Sequence, residues 1–321
     1  MNSAHPLQQF LPASVAHLEH PAAAIPRLAK DPRVMAEIEA AVQQIPTVHR
    51  LVLGDARDLS FIPDESVHLA ITSPPYWTLK QYPAHANQLG GITDYRRFLG
   101  ELARVWAHCF RVLVPGGRLI CVVGDVCRSR RQNGGRHTVV PLHAAIQEQC
   151  REIGFDNLTL IIWHKITNAT FETAGHGAGF LGKPYEPNAV IKNDIEYLLM
   201  QRKPGGYRRP ALATRVISVI AAENHRRWFQ GIWTGVTGAS TRAHPAPYPL
   251  ELAARLIRMF SFVGDTVLDP FMGSGTSVVA AARWGRHSIG VEIAPPYHAL
   301  ATQRLRQSGA PVLSTVHPAT P

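Results

Sequence analysis

Two stretches of this chain combine residues at spacings that suit chemistry on a nucleoside. In ITSPPYW, residues 71–77, an apolar run ends in a hydroxyl residue, two prolines and two aromatic rings. Pro74 and Pro75 each fix φ at about −65° and remove an N–H donor, so nearby carbonyls point outward without internal partners. The Ser73 hydroxyl and the Pro74 carbonyl can then accept hydrogen bonds from an exocyclic NH₂ group, and Tyr76 offers a flat face for a base. Serine and proline also populate ordinary strand-end loops, so the stretch gains meaning only beside a second signal.

That second signal is DPFMGSGTS, residues 269–277, where a strand ends in Asp269 and turns through Gly273 and Gly275 into a helix. The glycines let the backbone approach a ligand, and the helix start offers free N–H groups. A dinucleotide fingerprint needs another glycine where Val278 stands, which argues against NAD or FAD and for a smaller adenosine ligand without a pyrophosphate. Glu292, at the end of SIGVE, is spaced like the acid that holds ribose hydroxyls about 20 residues beyond such a turn.

The elements that must position these residues follow from periodicity. Short apolar runs (HRLVLGD, SVHLAIT, GRLICVVGD) alternate with helical patterns at 95–110 and 139–153, then strand-like runs at 158–164 and 195–201. After an interruption the rhythm resumes with a helix at 250–260, the strand TVLD, a helix from Ser277, SIGVE and a last helix through Leu305. Alternation of this kind predicts βαβ units in a mainly parallel sheet. The expected organisation is an N-terminal extension with a helix (1–47), a first α/β half (48–202), an insertion (203–243), a second α/β half (244–307) and a flexible tail (308–321).

The chain has 321 residues, enough for one large core. Its formal net charge of +10 favours a polyanionic partner, with nucleic acid as the leading class. The four cysteines show no C-x-x-C spacing and read as reduced thiols in a cytosol; Cys121 and Cys127 flank a buried strand and receive no catalytic role. There is neither an uninterrupted apolar run of about 18 residues nor a secretion-signal pattern, so no membrane contact is expected. His137, His143, His164 and His176 form no cluster with metal-ligand spacing, and no metal is expected.

SPPY followed by DPFMGSGT resembles the amino-methyltransferases of DNA, which move a methyl group from S-adenosylmethionine to an exocyclic nitrogen. The resemblance covers about residues 48–305 and includes LVLGD, RVLVPGGRLICVVGD, IIWHK, HPAPYP and GVEI. SPPY precedes the glycine turn, as in the circularly permuted β group, whose target-recognition region lies between the two halves. The resemblance implies a Rossmann-like seven-stranded sheet. It puts Asp55 near the cofactor adenine, Asp269 and Thr276 near its methionine part, Phe271 against it and Glu292 on its ribose. Pro270, Gly273, Gly275 and His244 of the HPAPYP turn would complete that pocket, with Ser73, Pro74, Pro75 and Tyr76 as the catalytic cradle. Serine at the first cradle position resembles the cytosine-N4 group, whereas adenine-N6 members mostly carry Asp or Asn. Action on adenine or RNA, and a non-catalytic nucleic-acid binder, are the competing readings.

A stacked base cannot enter such a pocket, so duplex DNA as partner implies base flipping, with Trp77 as readily a core residue as a second stacking face. Ligands of open α/β sheets bind beyond the carboxyl ends of the strands, so Arg128, Arg130, Arg131 and Arg136 are expected on phosphates. Arg208, Arg209, Arg226 and Arg227, interleaved with aromatics, are the candidates for reading sequence, with the loop 167–192 as the alternative. By resemblance, a cognate restriction endonuclease acting on the same site is a partner, and the setting is the bacterial or archaeal cytoplasm, at the nucleoid.

Overall fold

The computed structural model describes residues 5–16, 18, 21–83, 85–165, 193–239 and 247–317. His244 and the loop 167–192 lie outside them. The strands are β1 (His49–Leu53), β2 (Val67–Thr72), β3 (Leu113–Val123), β4 (Val126–Arg128), β5 (Thr138–Val140), β6 (Asp156–His164), β7 (Ile195–Arg202), β8 (Ile232–Trp233), β9 (Thr266–Asp269), β10 (His287–Glu292) and β11 (Val312–Val316). The α-helices are α1 (Pro21–Leu28), α2 (Pro32–Val42), α3 (Tyr95–Val112), α4 (Leu142–Ile153), α5 (Leu212–Ile217), α6 (Ala222–Trp228), α7 (Leu250–Phe260), α8 (Thr276–Arg283) and α9 (Pro295–Gln307).

Nine strands form one sheet in the order β11-β1-β10-β9-β2-β3-β7-β6-β8, with β7 antiparallel to both neighbours and the remaining pairings parallel. The edge strands β11 and β8 flank the seven that were expected. Side chains alternate across a strand, and β2 and β3 divide accordingly. Ala70, Leu119, Cys121 and Val123 join Phe98, Leu102 and Trp106 of α3 on one face. Leu69, Ile71, Ile120 and Val122 join Leu252 and Leu256 of α7 on the other. Covered on both faces, these strands read as continuous apolar runs, which is the pattern of a buried parallel sheet. The α3 helix starts where the Asp94 side chain accepts from the Arg97 N–H at 2.7 Å, and its apolar residues recur every three or four positions.

Several expectations need correction. The helix expected at 139–153 begins at Leu142, because Pro141 holds the preceding residue extended and Thr138–Val140 pairs with Val126–Arg128 in a separate hairpin. The tail from Ser308 contributes β11, whose residues 312–316 extend β1 in parallel. The described part of the segment expected as an insertion, 203–239, packs as part of the fold, since Trp228 and Trp233 are buried in the α7 face and Ile217 lies against Met35 and Ile38 of α2. The N-terminal extension carries two α-helices, and its Val15, Ala24 and Leu28 are buried against Val216.

Candidate active site

Every parallel strand of the centre ends on one edge, so β1, β2, β9 and β10 deliver Asp55, Ser73, Asp269 and Glu292 to neighbouring positions. Asp269 is 1% exposed and is held by hydrogen bonds: its carboxylate accepts from Thr72 Oγ1 at 2.7 Å, from the Phe271 N–H at 3.1 Å, from the Tyr248 hydroxyl at 3.2 Å and from Ser277 Oγ. Burial raises its pKa, and these donors oppose the rise. Asp269 thereby clamps β2, β9 and α8 together beneath the site.

The turn beyond it depends on glycine at two points. Gly273 and Gly275 have φ of 52° and 82°, in the left-handed region, and a Cβ on Gly275 would meet the Ala301 Cβ of α9 at 2.8 Å. Glu292 closes the turn: one carboxylate oxygen accepts from the Gly273 N–H at 2.9 Å, the other from the Ala294 N–H at 2.8 Å. Burial nevertheless pushes its pKa up to about 7.

The Ser73–Tyr76 cradle follows β2 directly. Ser73 Oγ donates to the Tyr76 hydroxyl at 3.2 Å, and that hydroxyl has the Val122 carbonyl at 3.2 Å and Glu196 Oε2 at 3.4 Å as acceptors. Glu196 in turn receives Lys165 Nζ at 2.7 Å. A serine that spends its proton on a fixed tyrosine keeps its lone pairs for an incoming donor. The Tyr76 ring, expected as an open stacking face, is 6% exposed and packs near Gly124, so it forms a wall of the cradle. Trp77 has a φ of 47°, rare for a bulky residue, and stands half-buried beside it. Its indole N–H donates to the Thr93 carbonyl at 3.2 Å, its ring lies 5.0 Å from that of Tyr95, and the Arg128 guanidinium sits 5.8 Å from its ring centre.

One cavity joins the two motifs: Ser73 and Pro75 line it together with Asp55, Pro270, Phe271, Gly273 and Glu292. Pro74, Tyr76, Asp269, Gly275 and Thr276 are buried and are not among its lining residues; Thr276 and Ser274 are turned to Arg304 of α9, which donates to the Ser274 carbonyl at 2.6 Å. Sequence reasoning missed Ala56, Tyr82, Asn87, Gln88, Leu89 and Tyr297, which complete the lining. It also missed Arg57, whose Nη2 lies 2.6 Å from Asp55 Oδ2 while its Nη1 lies 2.7 Å from Glu101, so Asp55 is pinned by a fork pair. A wall of apolar Phe271, Val291 and Ile293 with acceptor carboxylates at its rim fits an adenosine, whose ribose hydroxyls are donors.

Arg130, Arg131 and Arg136 are exposed on the β4–β5 hairpin beyond the carboxyl end of β3, and Arg128 is half-buried at its base. The other four arginines are not brought to this edge. Arg208 follows the end of antiparallel β7 and forms a two-fold pair with Asp265, just before β9, at 2.7 and 2.5 Å. Arg209 is its neighbour, and Arg226 and Arg227 ride on α6, whose Arg226 shares a cleft with the amino ends of β2 and β3.

The DNA methylase family N6_N4_Mtase matches residues 67–303. The chain is 38% identical to the type II methyltransferase M.MjaI of Methanocaldococcus jannaschii over 78% of its length and 88% of the relative's. It is 33% identical to M.MthZI of Methanothermobacter thermautotrophicus, covering 82% of this chain and 78% of that one. A Thermus thermophilus protein, provisionally assigned as a DNA modification methylase and solved with S-adenosyl-L-methionine, is 52% identical with a TM-score of 0.68, covering 83% of this chain and 99% of the other. The fold is also that of the cytosine-N4-specific PvuII DNA methyltransferase, with a TM-score of 0.59 at 18% identity over 84% and 96% of the two chains. The chain belongs to the N6/N4 DNA methylase family and is an S-adenosylmethionine-dependent DNA methyltransferase.

Proposed function

We propose that the chain is a site-specific type II methyltransferase that modifies the exocyclic N4 of cytosine in duplex DNA, with the target base turned out of the helix. The observation that carries this reading is the shared cavity: Ser73 and Pro75 of the cradle line the same space as Phe271, Gly273 and Glu292. The type II relatives support the biological class.

The amine of cytosine is a weak nucleophile because its lone pair is delocalised into the ring. Ser73 Oγ and the Pro74 carbonyl accept its two hydrogens and turn the lone pair toward the cavity. The hydrogen bond from Ser73 to Tyr76 fixes the polarity of that acceptor. Glu292 would accept the ribose hydroxyls and Phe271 would cover the ring system of the cofactor, which would supply an electrophilic methyl group when bound. Asp269 keeps the cradle strand in register with the glycine turn through Thr72. Serine in place of an acid or amide at the head of the cradle supports cytosine over adenine.

Duplex DNA incubated with the full chain and methyl-labelled cofactor, then digested to nucleosides for mass spectrometry, tests the reading. The expected product is N4-methylcytosine; N6-methyladenine alone, or no labelled nucleoside, overturns it.

A further inference from the structure

A second cleft opens at the other edge of the sheet, beside the amino ends of the parallel strands, and methyl transfer makes no use of it. Its volume of about 790 Å³ exceeds the roughly 50 Å³ of the catalytic cavity. His68 at the start of β2 and Arg118 of β3 form its floor, and Lys30, Arg215 and Arg226 stand on the walls built by α1, α5 and α6. No Asp or Glu side chain lines it among the described residues.

Two of its cations are already neutralised, Arg208 by Asp265 and Arg258 by Glu39. Lys30, Arg118, Arg215 and Arg226 have no carboxylate partner among the described residues. Arg118 is the most informative of the four. It is half-buried with its guanidinium 4.6 Å from the Phe260 ring centre, and burial and the nearby Arg202 lower its pKa. A desolvated guanidinium beside a second arginine, with no carboxylate partner among the described residues, is poised for an anion. Tyr207, at the lip, is 78% exposed, with the Arg202 guanidinium 5.7 Å from its ring centre and donating to its hydroxyl at 2.9 Å.

We propose that this far-edge cleft binds a phosphodiester strand of DNA, so that the protein holds two nucleic-acid segments, one at each end of its sheet. Cations without a carboxylate partner, spread along one cleft, suit a strand, because they track successive phosphates. A mononucleotide would fill only part of so large a cleft. The same duplex cannot serve both edges: residues 118–123 of β3, which run from the cleft to the catalytic edge, span about 20 Å, and DNA does not fold back over such a distance. The inference concerns a separate surface and depends neither on the choice of base nor on the cradle.

The test is fluorescence anisotropy of a short labelled single-stranded DNA, titrated with the full chain whose catalytic edge is saturated by unlabelled short duplex. Exposed Lys30 and Arg215 are reversed together (Lys30→Glu, Arg215→Glu), and Arg118→Gln is made separately. The paired reversal is expected to weaken strand binding at least ~10-fold and to reduce the slope of log affinity against log salt by about 1.4, about 0.7 per lost phosphate contact on a single strand. Arg118→Gln is expected to weaken binding in the same direction, and methylation of a short duplex is expected to stay unchanged in both. Unchanged strand affinity and slope in the paired reversal overturn the proposal, as does dAMP binding as tightly as the strand. Loss of short-duplex methylation alongside strand binding overturns the separation of the two surfaces. The nucleoside product tests the cytosine reading independently of each outcome.

Discussion

At the residue scale, the account turns on how few groups are free to act at the cavity. Ser73 is oriented by Tyr76, so Ser73→Ala should leave cofactor affinity unchanged, as read by calorimetry, while lowering kcat by about 100-fold or more. Tyr76→Phe keeps the ring packing but releases the serine proton, and kcat should fall by about 10-fold with a melting temperature close to wild type; equal kcat would remove the orienting role. Glu292 gives a pH signature. Burial raises its pKa from 4.5 to about 7, so the folded chain holds that proton more tightly than the unfolded chain. Stability without ligand therefore falls as pH rises from about 4.5 to 7, by about 3 kcal/mol. Glu292→Gln removes this dependence but gives up one acceptor, so the variant should be less stable than wild type at about pH 5 and more stable at about pH 8; melting curves that do not cross contradict the assignment. The cradle, the glycine turn and Glu292 were legible in sequence because each combines telling residue types at a strand end, whereas Asp55 was reached only through the family resemblance. Asn87, Gln88 and Tyr82 were not, since the stretch between β2 and α3 has no periodicity, and the Arg57–Asp55 fork looks like any surface ion pair in one dimension.

At the scale of elements, the longer helices and the central strands follow from their patterns, the short α1, α5 and α6 do not, and the misread edge elements share a cause. Edge elements bury little, so they carry a weak apolar signal: β11 has no fully buried residue and resembles a tail, although it pairs with β1 over five positions. The hairpin of β4 and β5 is short and little buried for the same reason. The composition of the arginine-rich segment suggests target reading, but Trp228 and Trp233 anchor it in the core and Arg208 ties it to the amino end of β9. One element-level prediction concerns α8. Gly275→Ala places a Cβ against Ala301 at a φ of 82°, which costs about 1–2 kcal/mol in backbone strain before α9 is displaced. A lowered melting temperature with weakened cofactor binding is expected from thermal-shift measurements, and an unchanged pair of values would contradict the geometry.

At the scale of the whole molecule, the order of strands makes the two halves one unit. The later strands β9 and β10 lie between β1 and β2, which are consecutive in sequence. Neither half can close its core without the other, so calorimetry should show a single unfolding transition; two resolved transitions would contradict the interleaving. This interleaving brings the cradle that begins at Ser73 and the turn at Gly273 to one cavity. The most direct measurement of that claim is a crystal structure of the full chain with duplex DNA and a non-reactive cofactor analogue. The account predicts an extruded cytosine with its N4 within hydrogen-bonding distance of Ser73 Oγ and the Pro74 carbonyl, and the analogue's ribose on Glu292. An analogue bound elsewhere, or a target base held away from Ser73, would contradict it.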